Sequence, residues 1–137
     1  MNLKDRVERL DWAELAGQLE ECGYALTPPL LLPAECDQLI GLYEDDRAFR
    51  SRVVMERHNF GRGEYKYFAD PLPAMVAALR QSFYPPLAAI ANGWMERMKQ
   101  SERFPPALNP FLENRFCRFR RACIVITWFR ALDAKTD

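Results

Sequence analysis

Apolar residues recur at helical spacing early in the chain and again past its middle, alternate in the stretch between, and form an unpatterned run near the end. The first block, "LDWAELAGQLEECG", reads as a helix: Asp11 can cap it, Glu14 stands three residues on as in a capping box, and Gly23 can supply a left-handed stop. Its inward stripe is Trp12, Leu15, Ala16, Leu19 and Cys22. "YALTPPLLL" follows, a short apolar strand that breaks at Pro28 and Pro29. Pro33 suits the first turn of a second helix, with Cys36, Leu39, Ile40 and Tyr43 inward. "EDDRAF" then closes it with an acidic run, a solvated face rather than a metal site.

In "RSRVVMERHNFGRGEYKYF", Arg50 to Phe68, the period changes from helical to alternating. "SRVVM" and "EYKYF" are β-branched or aromatic runs, and "NFGRG" between them holds the residues a chain reversal needs, so two strands and a loop are predicted. "DPLPAMVAALRQSFYPPLAAIANGWMERM" has helical periodicity on both sides of Pro85 and Pro86, which predict a break or a kink there. Met75, Val76, Leu79, Phe83, Leu87, Ile90, Trp94 and Met95 form its expected core. A short helix is predicted through "PALNPFLEN". From Asn114 the texture changes: Arg115, Arg118, Arg120 and Arg121 crowd together before an apolar run, Ile124 to Phe129, whose β-branched members favour a strand.

The 137 residues, 49% hydrophobic and 28% charged, fit a folded domain of ordinary composition. Nineteen basic residues balance nineteen acidic ones, so an electrostatic site must be local, and the zero net charge argues against a nucleic-acid partner. The N-terminus has no apolar signal core, and no apolar run approaches the ~18 residues of a membrane span, so a cytoplasmic location without membrane contact is expected. Cys22, Cys36, Cys117 and Cys123 show no CxxC spacing, and reduced thiols are the simplest reading.

The residues by themselves name no reaction. His58 is the only histidine, and an isolated histidine is more often structural than catalytic. There is no GxSxG, Walker loop, HExxH or EF-hand loop, and "GRG" at Gly61 to Gly63 is too short for a phosphate cradle. Glu56, Glu64, Asp45 and Asp46 could pair as acid and base, but the spacing singles out no two of them. Arg57, Arg62 and Lys66 interleave with Phe60, Tyr65 and Tyr67, which suits phosphates and stacked bases. A half-buried hairpin with one wet face has the same pattern.

"GYALTPPLLLPAEC" resembles the entry strand and following helix of the iron(II)/2-oxoglutarate-dependent oxygenases. "RSRVVMERHNFGRGEYKYF" followed by "PLPAMVAALRQSFYPPLAAIANGW" is similar to a bacterial branch of that superfamily related to prolyl-hydroxylase-like proteins. The resemblance runs from Leu10 to about Glu113. It departs at Leu32, where such helix starts usually carry a capping serine, a loss of about 1 kcal/mol. The resemblance implies a double-stranded β-helix that holds iron with His-x-Asp and a distant second histidine, leaving positions for 2-oxoglutarate and oxygen. Two histidine ligands cannot come from one histidine, and Asn59 and Phe60 follow His58 where an aspartate would stand second.

The resulting expectation is a helix-rich α+β chain: residues 1–113 as the N-terminal helical and strand region of a double-stranded β-helix oxygenase fold, apparently truncated, and 114–137 as an anomalous tail. Two readings of that tail stand, out-of-frame or remnant sequence and an authentic added strand. The resemblance makes Arg50 to Phe68 a wall of the substrate or co-substrate pocket, with Arg52, Arg57, His58, Lys66 and Tyr67 as its polar groups and Arg or Lys able to pair a carboxylate. No catalytic or metal-ligating residue is assigned. Iron(II) and 2-oxoglutarate belong to the intact family and neither is expected to bind this chain alone. Three functions compete: an inactive oxygenase-like chain with an unknown substrate that self-associates through an exposed apolar face, a non-catalytic interaction module, or a nucleic-acid-binding domain.

Overall fold

A computed structural model describes residues 2–59 and 61–113. Phe60, Cys117, Cys123, the arginine cluster and the expected strand at Ile124 to Phe129 lie outside the described residues. The architecture is mixed and helix-rich, with one two-stranded antiparallel sheet, consistent with the α+β expectation. The elements run α1 (Leu3–Glu8), α2 (Trp12–Cys22), α3 (Pro33–Leu42), β1 (Phe49–Val54), β2 (Glu64–Phe68), α4 (Ala74–Arg97) and α5 (Leu108–Glu113), with 3-10 turns at Asp46–Ala48 and Met55–His58. None of these helices is long and apolar enough to cross a membrane.

The helix α1 is absent from the sequence reading, yet it carries the most buried of the described residues. Asn2 caps it by accepting the Asp5 N–H at 2.9 Å, and Leu3 and Val7, four apart, turn one face inward. Val7 is only 1% exposed, and α1 packs against α4. The turn from α1 into α2 is pinned by Trp12, whose indole N–H donates to the Val7 carbonyl at 3.1 Å and whose ring meets Phe83 edge-on at 5.6 Å. α2 begins and ends where the sequence predicts: Asp11 accepts the Glu14 N–H, and Gly23 has φ 77°, which a side chain would strain. Leu15 is its buried residue, whereas Cys22 is exposed and not part of the core as expected.

The segment after α2 is not a strand. Among the described residues the sheet consists of β1 and β2, so no neighbouring strand takes up its backbone groups, and Pro28 and Pro29 have no N–H to offer. Side chains tie it down instead: Gln18 accepts the Leu26 N–H at 3.1 Å, and Arg6 donates to the Leu30 carbonyl at 2.7 Å. Tyr24 and Leu26 are exposed. α3 starts at Pro33 as predicted; Leu32 has no side chain to cap it, and Glu35 makes only the reciprocal contact of a capping box, accepting the Leu32 N–H at 2.7 Å. The inward stripe of α3 is Glu35, Leu39 and Tyr43, at i, i+4 and i+8, which leaves Ile40 exposed and corrects its expected burial.

The predicted interruption at Pro85 and Pro86 does not divide the helix: α4 runs unbroken over 24 residues. The two prolines remove the bonds to the carbonyls of Gln81 and Ser82, but packing holds both halves. Phe83 meets Trp12 on one side. On another, Tyr84, Ala88 and Asn92 form an i, i+4, i+8 stripe that grips the return segment: the Tyr84 hydroxyl donates to the Pro105 carbonyl, and the Asn92 amide bonds both backbone groups of Phe104, at 2.7 and 2.9 Å. Phe111 of α5 completes that contact with its ring 5.2 Å from Tyr84. Leu87 lies off this stripe and is exposed, contrary to expectation, while Ala88 is buried. α5 forms as predicted, with Pro110 in its first turn, where a helix needs no N–H.

The buried apolar residues, Leu3, Val7, Leu15, Val76, Ala88 and Leu108, all belong to α1, α2, α4 and α5. No described residue of α3 or the hairpin reaches that depth. Val7→Ala should therefore cost about 2 kcal/mol of stability, read by urea unfolding, and Ile40→Ala no more than about 0.5 kcal/mol.

α3 joins the helical core through one partly buried ion pair. Arg6 Nη1 and Nη2 meet the two oxygens of Glu35 at 2.7 and 2.5 Å, a bidentate fork. The Arg6 guanidinium and the Leu32 N–H lower the Glu35 pKa to about 2 from 4.5. A carboxylate held low in the folded state adds stability above its unfolded pKa and loses it as acid protonates it. The stability gap between the native chain and Glu35→Gln should be constant above pH 5, then close between pH 4.5 and 2; a gap independent of pH in that window would contradict the pairing.

Candidate functional site

The hairpin of β1 and β2 carries all five polar groups singled out by the sequence. Its register pairs Phe49 with Phe68, Ser51 with Tyr67, Arg52 with Lys66, Val53 with Tyr65 and Val54 with Glu64, with an irregularity at Arg50. The ladder is extended at both ends, by Met55 N–H to the Gly63 carbonyl and Ala69 N–H to the Ala48 carbonyl, each 2.9 Å. The connecting tip uses the left-handed backbone at Asn59, Gly61 and Gly63, with φ 59°, 93° and 130°, as the "NFGRG" sequence predicts.

Because side chains alternate across a strand, the hairpin has two chemically different faces. One carries Arg52, Glu64, Lys66, Phe49 and Phe68 and lies against Tyr43 at the end of α3. Glu64 is its centre. The Tyr43 hydroxyl donates to Glu64 Oε1 at 2.6 Å, and Arg52 donates to Oε2 from Nε at 2.7 Å and from Nη2. These bonds, the Tyr43 hydroxyl first and then Arg52, hold the Glu64 carboxyl below its ordinary range. Lys66, only 7% exposed at its side chain, donates to the Tyr43 carbonyl at 2.8 Å and to Asp46 Oδ1 at 2.7 Å. Its ammonium also lies 4.4 Å from the centre of the Tyr43 ring and 5.1 Å from that of Phe49. The bond to Lys66 holds the Asp46 carboxyl low.

The other face carries Ser51, Val53, Tyr65 and Tyr67. The two tyrosine rings meet edge-on at 5.4 Å, and the Arg50 guanidinium lies 5.4 Å above Tyr67. Arg57 and His58 belong to the exposed 3-10 turn after β1, with Arg62 beyond them in the tip. The five expected pocket groups are therefore split: Arg52 and Lys66 on one face, Tyr67 on the other, Arg57 and His58 at the tip. Sequence reasoning misses one participant, Tyr43, which its helical spacing places in the core; Asp46 is among its acid and base candidates and is exposed, as its acidic run predicts. Glu64 stands among the acid and base candidates with nothing local to distinguish it. Once the hairpin register is known, its position two residues before Lys66 and diagonal to Arg52 reveals the ion pair.

Residues 63–126 match a family model described as an oxygenase catalysing oxidative methylation of damaged DNA. Over that stretch the chain is similar to an oxygenase family. No curated protein and no solved structure matches the chain. The match takes in Lys66 and Tyr67, as well as β2, α4 and α5, and crosses Asn114; Arg52, Arg57 and His58 precede it.

The donor set does not fit the iron centre that the resemblance implies. No three His, Cys, Asp or Glu side chains gather into a metal-binding group among the described residues, and His58 is the one histidine of the whole sequence. Nor is the expected carboxylate clamp open: Arg52 is engaged by Glu64 and Lys66 by Asp46. Tyr43→Phe should raise the Glu64 pKa toward the ordinary carboxylate value and lower stability by about 1 kcal/mol. Carboxyl NMR titration together with thermal unfolding checks both.

Proposed function

We propose that this chain is an oxygenase-related domain of the iron(II)/2-oxoglutarate-dependent kind that carries out no turnover by itself. The observation that carries the reading is the match over residues 63–126 to an oxygenase family in a chain with a single histidine. A His-x-Asp and second-histidine triad needs two histidines. The prolyl-hydroxylase-like branch is our finer reading, supported by the central block from Arg50 to Trp94. Residues 114–126 of the tail also lie within the matched stretch, which supports reading them as in-frame sequence.

In this reading the hairpin network is structural. Glu64 fixes Arg52, and Lys66 fixes the end of α3, so neither cation is presented to a carboxylate ligand. Arg57 and His58, exposed at the tip, are the expected pocket groups that a ligand would meet. The description of the matched family, whose substrate is damaged DNA, favours a second reading, contact with nucleic acid.

The purified chain, incubated with iron(II), ascorbate and 2-oxoglutarate, should release carbon dioxide and succinate at the rate of a protein-free control. Release above that control, abolished by His58→Ala, would overturn the proposal.

A further inference from the structure

Residues 10–46, which include α2 and α3, hold nine Asp and Glu and no Lys or Arg. Four of those acids have a cation partner: Glu20 with Arg97, Glu35 with Arg6, Asp45 with Arg47 and Asp46 with Lys66. Asp37 and Glu44 are exposed and have no hydrogen-bond or ion-pair partner among the described residues.

Both belong to the outer side of α3, a helix of which no residue is fully buried. Helical spacing sets Leu32, Cys36 and Ile40 in one line, at i, i+4 and i+8, with Leu32 56% and Ile40 49% exposed and Cys36 half-buried. Asp37 stands three residues before Ile40. Glu44 stands four after it, and Tyr43 between them keeps helical backbone, with φ −63° and ψ −28°. Both acids therefore edge the apolar line.

The face that results is apolar along its middle and negative beside it. It repels a polyanion or an anionic lipid surface, and a second copy of α3 would bring Asp37 and Glu44 against their own likes. It suits a segment in which arginines stand among large apolar side chains without acids. Residues 115–130, outside the described residues, have that composition: Arg115, Arg118, Arg120, Arg121 and Arg130, no Asp or Glu, and phenylalanine, isoleucine, valine and tryptophan among them. Charge divides along the chain in the same sense. Residues 1–113 have thirteen Lys and Arg against seventeen Asp and Glu, and residues 114–137 have six against two. Reach is no obstacle, since ten residues after Glu113 can span about 33 Å, roughly the diameter of a small domain.

We propose that the outer face of α3, formed by Leu32, Cys36, Ile40, Asp37 and Glu44, is the docking site of the arginine-rich segment 115–130 of the same chain. Its arginines pair with Asp37 and Glu44, and its apolar side chains cover Leu32 and Ile40. The contact goes beyond the oxygenase reading and does not depend on it.

Cys36, in the middle of the face, reports its coverage, and the exposed Cys22 is an internal reference. The test is alkylation of the full chain by iodoacetamide, with the rate at each cysteine followed by peptide mass spectrometry. Changing Arg118, Arg120 and Arg121 together to Glu should speed the labelling of Cys36 by about 5-fold or more and leave Cys22 unchanged. Because a charge beside Cys36 also alters its thiol directly, the decisive comparison holds that charge fixed. With Asp37→Lys and Glu44→Lys already in place, the same three arginine changes should slow Cys36 instead. A Cys36 rate that they leave unchanged or raise in the lysine background would overturn the docking. So would slow labelling that develops only as protein concentration rises, which would assign the occupant to a second copy. If Cys22 quickens in step, the variant has lost its fold, and the native chain decides: Cys36 labelling should quicken in 1 M salt relative to Cys22, and a salt-independent ratio would overturn the docking.

Discussion

The guanidinium of Arg6 is the joint on which the rest of the arrangement depends. It belongs to α1, a helix of six residues fastened to α4 through Val7, the most buried of the described residues. From there its two terminal nitrogens reach the Leu30 carbonyl and both oxygens of Glu35, so one side chain fixes the proline-rich segment and the start of α3 together. Glu35 also accepts the Leu32 N–H at the entry to α3. Removing one partner would leave the other partly buried and unpaired, which costs more than the pair contributes when whole.

The chain is consequently held in two different ways along its length. α1, α2, α4 and α5 share an apolar core. Among the described residues α3 and the hairpin have no fully buried apolar residue, and specific polar contacts connect them in series, Arg6 to Glu35, then Tyr43 to Glu64 and Lys66 to Tyr43 and Asp46. Such contacts fix geometry more than they add stability. They also engage Arg52 and Lys66 with Glu64 and Asp46, so the contacts that position the hairpin occupy two of its cations.

Much of this was legible in the sequence where a local signal is decisive. Asp11 and Gly23 bound α2, Pro33 opens α3, and Asn59, Gly61 and Gly63 turn the hairpin, because each of these residues acts through its own backbone. The features that were not legible depend on partners distant in sequence. Val7 looks unremarkable in a short charged stretch until α4 covers it. Pro85 and Pro86 interrupt a helix in isolation, but Tyr84 and Asn92 hold both halves to the return segment. The strand expected at "YALTPPLLL" needed a neighbour that the sheet does not provide. For the site, the histidine count was readable at once, while the pairing of Arg52 and Lys66 with internal acids required the register and the position of Tyr43.

Amide hydrogen exchange on Arg6→Met, compared with the native chain, tests the central claim that one ion pair joins a polar half to an apolar half. The account predicts lost protection across α3, β1 and β2 with α2 and α4 nearly unchanged. Protection lost uniformly along the chain, or retained in α3 and the hairpin, would contradict it.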